Sequence, residues 1–158
     1  MNKTIFCIIT FGFVNCVSDN GYTIYKSLFK GGFSTSPIVF NIPEKVIDSG
    51  AKNLFIRLRS DNNYQYANIF LIASVQAGRV LLTQDTLEYV MANPDGSLIG
   101  KGFTEVKESK LWWKEGVVFP KTRPITIEIS QAVRKNGNAK GVSKLKGIVS
   151  VGISIEDQ

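Results

Sequence analysis

Two cysteines, Cys7 and Cys16, carry the thiols of this 158-residue chain, and histidine is absent. The chain begins with a single positive charge at Lys3, and residues 5–14 are almost entirely apolar. A charged start followed by an apolar run of this length is typical of a secretory signal peptide. A ten-residue helix would span about 15 Å, which is half of the hydrocarbon core, so we expect no membrane-spanning helix here.

Cys16 lies where this apolar run gives way to polar sequence. In bacterial lipoproteins a cysteine at this position receives lipid on its sulfur and becomes the first residue after cleavage. One acyl chain binds membranes only marginally, whereas two or more anchor a protein firmly. We therefore predict a signal peptide at residues 1–15, which contains Cys7, and lipidation at Cys16. The alternative is a free cysteine near a conventional cleavage site, because Asn15 stands where Gly, Ala or Ser is usual.

Catalytic chemistry has little support in the sequence. Histidine is the commonest general base and the commonest metal ligand, and the chain has none. Carboxylates between residues 105 and 115 could act as the acid and base of a glycosidase, but their spacing does not indicate a pair. The glycines at residues 96–102 flank a predicted hairpin and not a helix start, so they do not indicate a phosphate loop. We predict a protein that is not an enzyme and that has no cofactor or metal.

The aromatic residues are more informative. Trp112 and Trp113 are neighbours between Lys110 and Lys114, and neighbours on a strand face opposite sides. One ring could therefore lie in the core and the other in solvent, where it could stack on a sugar or anchor a protein partner. The alternative is that both rings only pack in the core or at an edge. The candidate interaction residues are Lys110, Trp112, Trp113 and Arg134.

Arg134 follows a predicted strand that ends near Gln131. A short turn there could hold its guanidinium clear of the core, which is why it joins the candidate surface. Two structural roles remain open for it: capping backbone carbonyls or pairing with Glu128.

Period-two alternation of apolar and polar residues dominates the chain from Ile38 onward. Short alternating strands separated by turn signals predict an all-β fold, a single antiparallel β-sandwich of the jelly-roll kind, with at most one short helix. We place that helix at residues 130–135. Residues 69–73 are continuously apolar, which predicts a strand covered on both faces. The predicted core consists of Leu54, Ile56, Leu58, Phe70, Ile72, Ile127, Ile129, Val151 and Ile153.

Composition fits one globular domain, with 44% hydrophobic and 20% charged residues. Residues 16–35 are predicted to be the acylated cysteine and a tether, and residues 36–158 the sandwich. The net charge is +6, and the lysines at residues 135–146 could favour an acidic partner or anionic headgroups; the alternative is a solvated face. Nucleic acid is not an expected partner of an exported protein.

Several segments together resemble the GldH gliding-motility lipoproteins. The similar segments are GKGF at residues 100–103, KESKLWWKE at 107–115, QAVR at 131–134, LKGI at 145–148 and VGI at 151–153. The resemblance also includes the arginine that ends the strand at residues 58–59, the tyrosines and asparagine at residues 64–68, and the position of Cys16. The resemblance covers nearly the whole chain.

This resemblance implies an outer-membrane-associated lipoprotein of the gliding and type IX secretion machinery, with other envelope proteins as partners and the N-terminal lipid in the membrane. It implies a required component and not an enzyme, and it transfers no site other than Cys16. A lipid-anchored carbohydrate-binding module is the alternative function. A glycan-processing hydrolase is disfavoured, and the sequence identifies no small-molecule ligand.

Overall fold

The computed structural model describes residues 21–28, 32–48, 50–102, 105–134 and 141–158. In these residues ten strands and one helical turn follow each other along the chain. They are β1 (Gly21–Ser27), β2 (Phe33–Ser34), β3 (Ile38–Ile42), α1 (Glu44–Ile47), β4 (Lys52–Ser60), β5 (Asn68–Ala77), β6 (Val80–Val90), β7 (Lys107–Val117), β8 (Ile125–Gln131), β9 (Lys144–Leu145) and β10 (Ile148–Asp157).

The strands form two four-stranded antiparallel sheets whose inner faces share one hydrophobic core. The first sheet has the order β1-β10-β4-β7 and the second has the order β3-β8-β5-β6. A small third pairing joins β2 to β9. This arrangement confirms the predicted antiparallel β-sandwich. No helix in the described ranges is long and apolar enough to cross a bilayer.

Alternation along the strands determines which side chains enter the core. In β4, Leu54, Ile56 and Leu58 are fully buried, while the residues between them face outward. The same pattern buries every second residue of β8, and in β10 Val151, Ile153 and Ile155 are buried. A side-chain period of two needs only the local extended backbone, so these core positions could be predicted from sequence. The structure confirms them.

Ile127 lies at the centre of the core and is fully buried. Replacing it with alanine removes buried methylene groups and leaves a cavity, so Ile127→Ala is expected to lower the free energy of unfolding by about 2–5 kcal/mol. Urea denaturation followed by far-UV circular dichroism measures this loss. The control is Val39→Ala in the neighbouring strand β3, where the side chain is exposed. Equal midpoints for Ile127→Ala and the native protein would contradict the assigned core.

Strand β5 departs from the prediction. Ile69 and Leu71 are fully buried, whereas Phe70 and Ile72 are only half-buried and face the outside of the second sheet. The predicted core positions Phe70 and Ile72 are therefore wrong, and the strand is not fully covered on both faces. A continuous apolar run carries no alternation, so the sequence offered no signal for which set of side chains faces inward.

The boundary between tether and domain also needs correction. Strand β1 lies within residues 16–35, yet it pairs with β10 from Gly21↔Glu156 to Ser27↔Ser150. Phe33 in β2 is fully buried. The sandwich therefore begins by residue 21, not residue 36. The glycine, serine and asparagine of this region suggested a tether, but the pairing partner of β1 lies more than a hundred residues away, beyond the reach of a local pattern.

The helix predicted at residues 130–135 is wrong where the structure describes it. Ser130 and Gln131 belong to β8, and residues 135–140 lie outside the described residues. Within the described residues the one helical turn is α1 instead, directly after Pro43. Proline is well tolerated at the start of a helix, which is the signal that could have indicated it.

Candidate functional site

The outer surface of the first sheet presents the exposed tryptophan together with a connected set of charged side chains. Because Leu54, Ile56 and Leu58 face the core, Phe55 and the two arginines of β4 face outward. In the register with β7, Phe55 lies opposite Trp112, Arg57 opposite Lys110, and Arg59 opposite Glu108. We call this surface the Trp112 face; it consists of Tyr25, Phe55, Arg57, Arg59, Glu108, Lys110, Trp112 and Glu156.

Two positive charges meet directly across β4 and β7, at Arg57 and Lys110. Like charges in opposite positions of a sheet repel each other. Glu156 of β10 offsets this repulsion, since its carboxylate lies 2.6 Å from Lys110 Nζ and 3.8 Å from an Arg57 nitrogen. One acidic side chain from a third strand therefore holds both cations in place on the face.

Glu108 is the second acidic centre of the face. Its carboxylate accepts hydrogen bonds from Tyr25 Oη at 2.7 Å, from Arg59 Nε at 2.8 Å and from Arg57 Nη1 at 3.3 Å. Burial alone would raise the pKa of Glu108. The hydrogen bonds from Tyr25 and Arg59 and the two positive charges outweigh burial and hold the pKa below its ordinary value. Glu108 is therefore ionised at neutral pH.

A glycine in β10 makes room for Tyr25. Gly152 lies opposite Tyr25 in the register, and a Cβ at Gly152 would lie 2.6 Å from the tyrosine ring and 2.7 Å from the Ile24 carbonyl oxygen. The ring can therefore lie across the sheet, with the Arg59 guanidinium 4.1 Å from its centroid. This cation–π contact and the bond to Glu108 fix the tyrosine on the face.

The GKG segment at residues 100–102 supports the strand that carries Glu108. Lys101 pairs with Glu108 through two backbone hydrogen bonds of 2.8 and 2.9 Å. A Cβ at Gly100 would lie 2.8 Å from the Glu108 carbonyl oxygen, and one at Gly102 would lie 2.4 Å from that of Val106. Both glycines also have φ near +150°. Only glycine combines this backbone conformation with such close approach.

Glu108→Gln removes the negative charge that faces two arginines. Because the folded-state pKa of Glu108 is lowered, its charge stabilises the fold above the ordinary carboxyl pKa, and this contribution is lost as the pH falls through the folded-state value. The variant is expected to be less stable than the native protein at neutral pH, and this difference in stability is expected to shrink as the pH falls below the ordinary carboxyl range. Urea midpoints across this range test the prediction. Glu115→Gln, at an exposed position outside the network, is the charge-matched control. A stability difference between Glu108→Gln and the native protein that does not change with pH would contradict the prediction.

Trp112 projects from this face with 49% of its surface exposed. Its ring meets Phe55 edge to face, with 5.2 Å between centroids and an angle of 83° between planes. Lys110 Nζ lies 4.1 Å from the centroid of the same Phe55 ring. Phe55 therefore contacts both the Trp112 ring and the Lys110 ammonium group, and the contact with Phe55 restricts the rotamers of Trp112.

Trp113 points the opposite way and is 6% exposed, so the predicted division of the two tryptophans is confirmed. Its Nε1 donates to Asp85 of β6 at 3.0 Å, and Lys114 Nζ reaches the same carboxylate at 3.0 Å. Tyr89 Oη donates to the backbone carbonyl of Trp112. These contacts join the edge strands β6 and β7 of the two sheets, and we call them the β6–β7 seam.

Arg134 does not join the Trp112 face. It is exposed, forms a bridge with Gly141, and lines a hollow with Phe70, Ile72 and Ala132 on the outside of the second sheet. In the described part of the chain it makes no ion pair with Glu128. Of the four candidate interaction residues, the structure brings together Lys110 and Trp112, places Trp113 in the core, and puts Arg134 on the opposite side of the sandwich. Cys16 lies outside the described residues.

Sequence reasoning missed most of the face. Arg57 and Arg59 were visible as the outward set of an alternating strand, but Tyr25 fell in the predicted tether. Glu108 and Glu156 meet the arginines only because β7 and β10 both flank β4. Within the described ranges no group of three or more possible metal ligands occurs.

Comparison with known proteins assigns the chain to a family. The profile of the GldH lipoprotein family matches residues 22–155. The gliding motility lipoprotein GldH of Flavobacterium johnsoniae is 41% identical over 158 residues, covering 99% of this chain and 97% of that protein. A GldH homolog of Christiangramia forsetii is 39% identical over 152 residues, covering 96% of this chain and 91% of that protein. No solved structure shows a significant match. The chain therefore belongs to the GldH lipoprotein family.

Proposed function

We propose that this protein is a lipoprotein component of the bacterial gliding motility and type IX secretion machinery. It is anchored to the outer membrane through Cys16 and acts by binding another envelope protein, not by catalysis. The names of the relatives support the link to gliding motility and to a lipoprotein. The observation that carries the binding role is the Trp112 face, where an exposed tryptophan stands among side chains that are already ordered.

The Trp112 face has the properties of a binding surface. Tryptophan and arginine are enriched among residues that dominate interface energy, because each offers a large planar contact area with directed donors. Ion pairs from Glu108 and Glu156 hold Arg57 and Lys110 before any partner arrives. A partner therefore meets a rigid surface and loses less entropy on binding.

Trp112→Ala tests the proposal. The variant loses one edge-to-face aromatic contact, worth about 0.5–1.5 kcal/mol, so the fold is expected to persist with a small decrease in melting temperature. Gliding, and capture of cross-linked envelope partners in the native cell, are expected to fall strongly. Thermal unfolding and a motility assay are measured on the same variant.

Arg134→Ala is the control, since Arg134 is also exposed but lies on the other side of the sandwich. It is expected to leave both motility and partner capture unchanged. Normal gliding with Trp112→Ala would contradict the proposed surface, and loss of gliding with Arg134→Ala alone would move the working surface to the second sheet.

A carbohydrate-binding module is the second candidate. One half-exposed tryptophan on a sheet face with polar neighbours is also an arrangement that stacks on sugar rings. The chain has two tryptophans and Trp113 is buried, so a fluorescence change on adding envelope glycan fragments would report Trp112. A saturable change that Trp112→Ala abolishes would support this second function over protein binding.

A further inference from the structure

The start of β1 lies at one end of the sandwich, which we call the Gly21 end. In the first sheet the registers place Gly21 beside the end of β10, and Lys52, the first residue of β4, beside both Asp157 and Val117. The first residue of β1, the last residues of β10 and β7 and the first residue of β4 therefore lie level with one another.

The second sheet contributes its own connections to the same end. Ile125, the first residue of β8, pairs with Ile42 and with Ala77, the last residues of β3 and β5. Helix α1 then links β3 to β4, which brings this end of the second sheet to the start of the first. Arg123 Nη2 binds Asp48 at 3.0 Å just after α1. The turn between β5 and β6 is also here, because Gly78 N donates to the Pro124 carbonyl at 2.7 Å.

Exposed apolar side chains gather at the Gly21 end. Val80, Leu81 and Leu82 open β6 with 60%, 53% and 43% of their surface exposed, and Val118 follows β7 with 73% exposed. Along the β6–β7 seam, Trp113 meets Asp85 and Lys114 meets Thr83, so the two strands run in opposite directions. The first residues of β6 and the residue after β7 therefore lie at the same end. Clusters of large exposed apolar residues at one place mark an interaction site.

The anchor point lies close to this end. Only residues 17–20 separate Cys16 from Gly21, so five residue steps of about 3.5 Å limit their separation to roughly 17 Å. The nine residues of β4 extend over about 30 Å, which is nearly twice that distance. A domain attached through Cys16 therefore keeps its Gly21 end toward the membrane.

Within the described ranges, two unpaired cations border the exposed apolar residues at the Gly21 end. Arg79 precedes the apolar start of β6, and Lys121 follows Val118 by three residues; both side chains are exposed. Among the described residues neither forms an ion pair, whereas Lys52 and Arg123 at the same end are paired with acidic side chains. Apolar side chains bordered by free cations are the combination that binds at the headgroup boundary of a bilayer.

We propose that the Gly21 end rests on the membrane that holds the lipidated Cys16, with Val80, Leu81, Leu82 and Val118 in contact with lipid. This inference rests on the acylation of Cys16 in the proposed function. Since the strands run from this end to the other, the Trp112 face then stands upright on the membrane and is open to a partner beside it. The turn at residues 93–97 points away from the bilayer.

Depth-dependent fluorescence quenching tests this orientation in the full-length acylated protein. Leu81→Cys and Val118→Cys are labelled separately with an environment-sensitive dye, in vesicles of phosphatidylethanolamine and phosphatidylglycerol containing nitroxide-labelled lipid. Ser97→Cys, in the exposed turn at the far end, is the matched control. All three positions lie on the surface, so labelling is expected to leave the fold intact, and circular dichroism checks this.

We expect nitroxide lipid to quench the labels at residues 81 and 118 several-fold more than the label at residue 97. Equal quenching at all three positions would overturn the inference. So would labels at residues 81 and 118 that are shielded from aqueous iodide but insensitive to lipid nitroxide, because a second copy of the protein then covers this end. Mass spectrometry of the N-terminus separates the two proposals: an unmodified Cys16 refutes the anchoring itself, whereas acylation with equal quenching refutes only the orientation.

Discussion

Trp113→Ala is expected to lower the free energy of unfolding by about 3–5 kcal/mol, which is a large share of the stability of a domain of this size. The side chain is 6% exposed and belongs to the single core between the two sheets. Its removal leaves a cavity and also deletes the hydrogen bond from Nε1 to Asp85. The β6–β7 seam therefore loses both packing and polar contact.

Two variants separate these contributions. Trp113→Phe keeps most of the buried ring but loses the donor to Asp85, so its loss of stability is expected to be smaller, about 1.5–3 kcal/mol for a bond to a charged acceptor. Trp112→Ala, one residue away, is expected to change stability far less, because its ring lies outside the core. Urea denaturation of the three variants measures the order, and equal losses for Trp112→Ala and Trp113→Ala would contradict the assigned orientations.

This difference decides how motility defects are interpreted. A non-gliding Trp113→Ala strain is expected to contain little folded protein, and its phenotype would reflect stability. A non-gliding Trp112→Ala strain with a normal amount of folded protein would reflect a lost contact. The two tryptophans are adjacent in sequence, so only their burial separates the two explanations.

Cys16→Ser is expected to abolish membrane attachment through the N-terminal lipid. The proposed acylation requires the thiol sulfur, and a hydroxyl cannot replace it. A single acyl chain binds a membrane only weakly, and firm anchoring needs at least two. A variant without any acyl chain therefore lacks this anchor. The variant is expected to remain uncleaved or to be released, and detergent partitioning together with mass spectrometry of the N-terminus measures the outcome.

Cys7→Ser provides the matched control for this experiment. Cys7 lies within the predicted signal peptide, so its replacement is expected to leave the mature protein acylated and anchored. A Cys16→Ser protein that is cleaved before residue 16 and still partitions into detergent like the native protein would contradict the proposed anchor. A native N-terminus that begins at another residue and carries no lipid would do the same.

The fold class and much of the core could be predicted from sequence, for a local reason. An extended chain alternates its side chains with a period of two, so the apolar residues of β4, β8 and β10 indicate their own inward face. Leu54, Ile127 and Val151 are buried as predicted. Opposite orientations for Trp112 and Trp113 follow from the same periodicity.

The candidate surface depended on information that no local pattern contains. Trp112 lies in β7 and Arg134 follows β8, and these two strands belong to different sheets. The sheet that each strand joins therefore decides whether the two side chains share a face. Tyr25 of β1 reaches Glu108 of β7 across β10 and β4, so this contact depends on the order of the four strands in the first sheet.

Sequence alone determined a single antiparallel β-sandwich, the alternating parts of its core, and the likeness to the GldH lipoproteins. Tertiary structure decided that the sandwich begins by Gly21, that Phe70 faces outward, and that polar and charged side chains from four strands meet on the Trp112 face. The physical reason is the range of the interactions. Alternation is a property of neighbouring residues, whereas strand order and the meeting of side chains across strands are set by the lowest free energy of the whole packed chain.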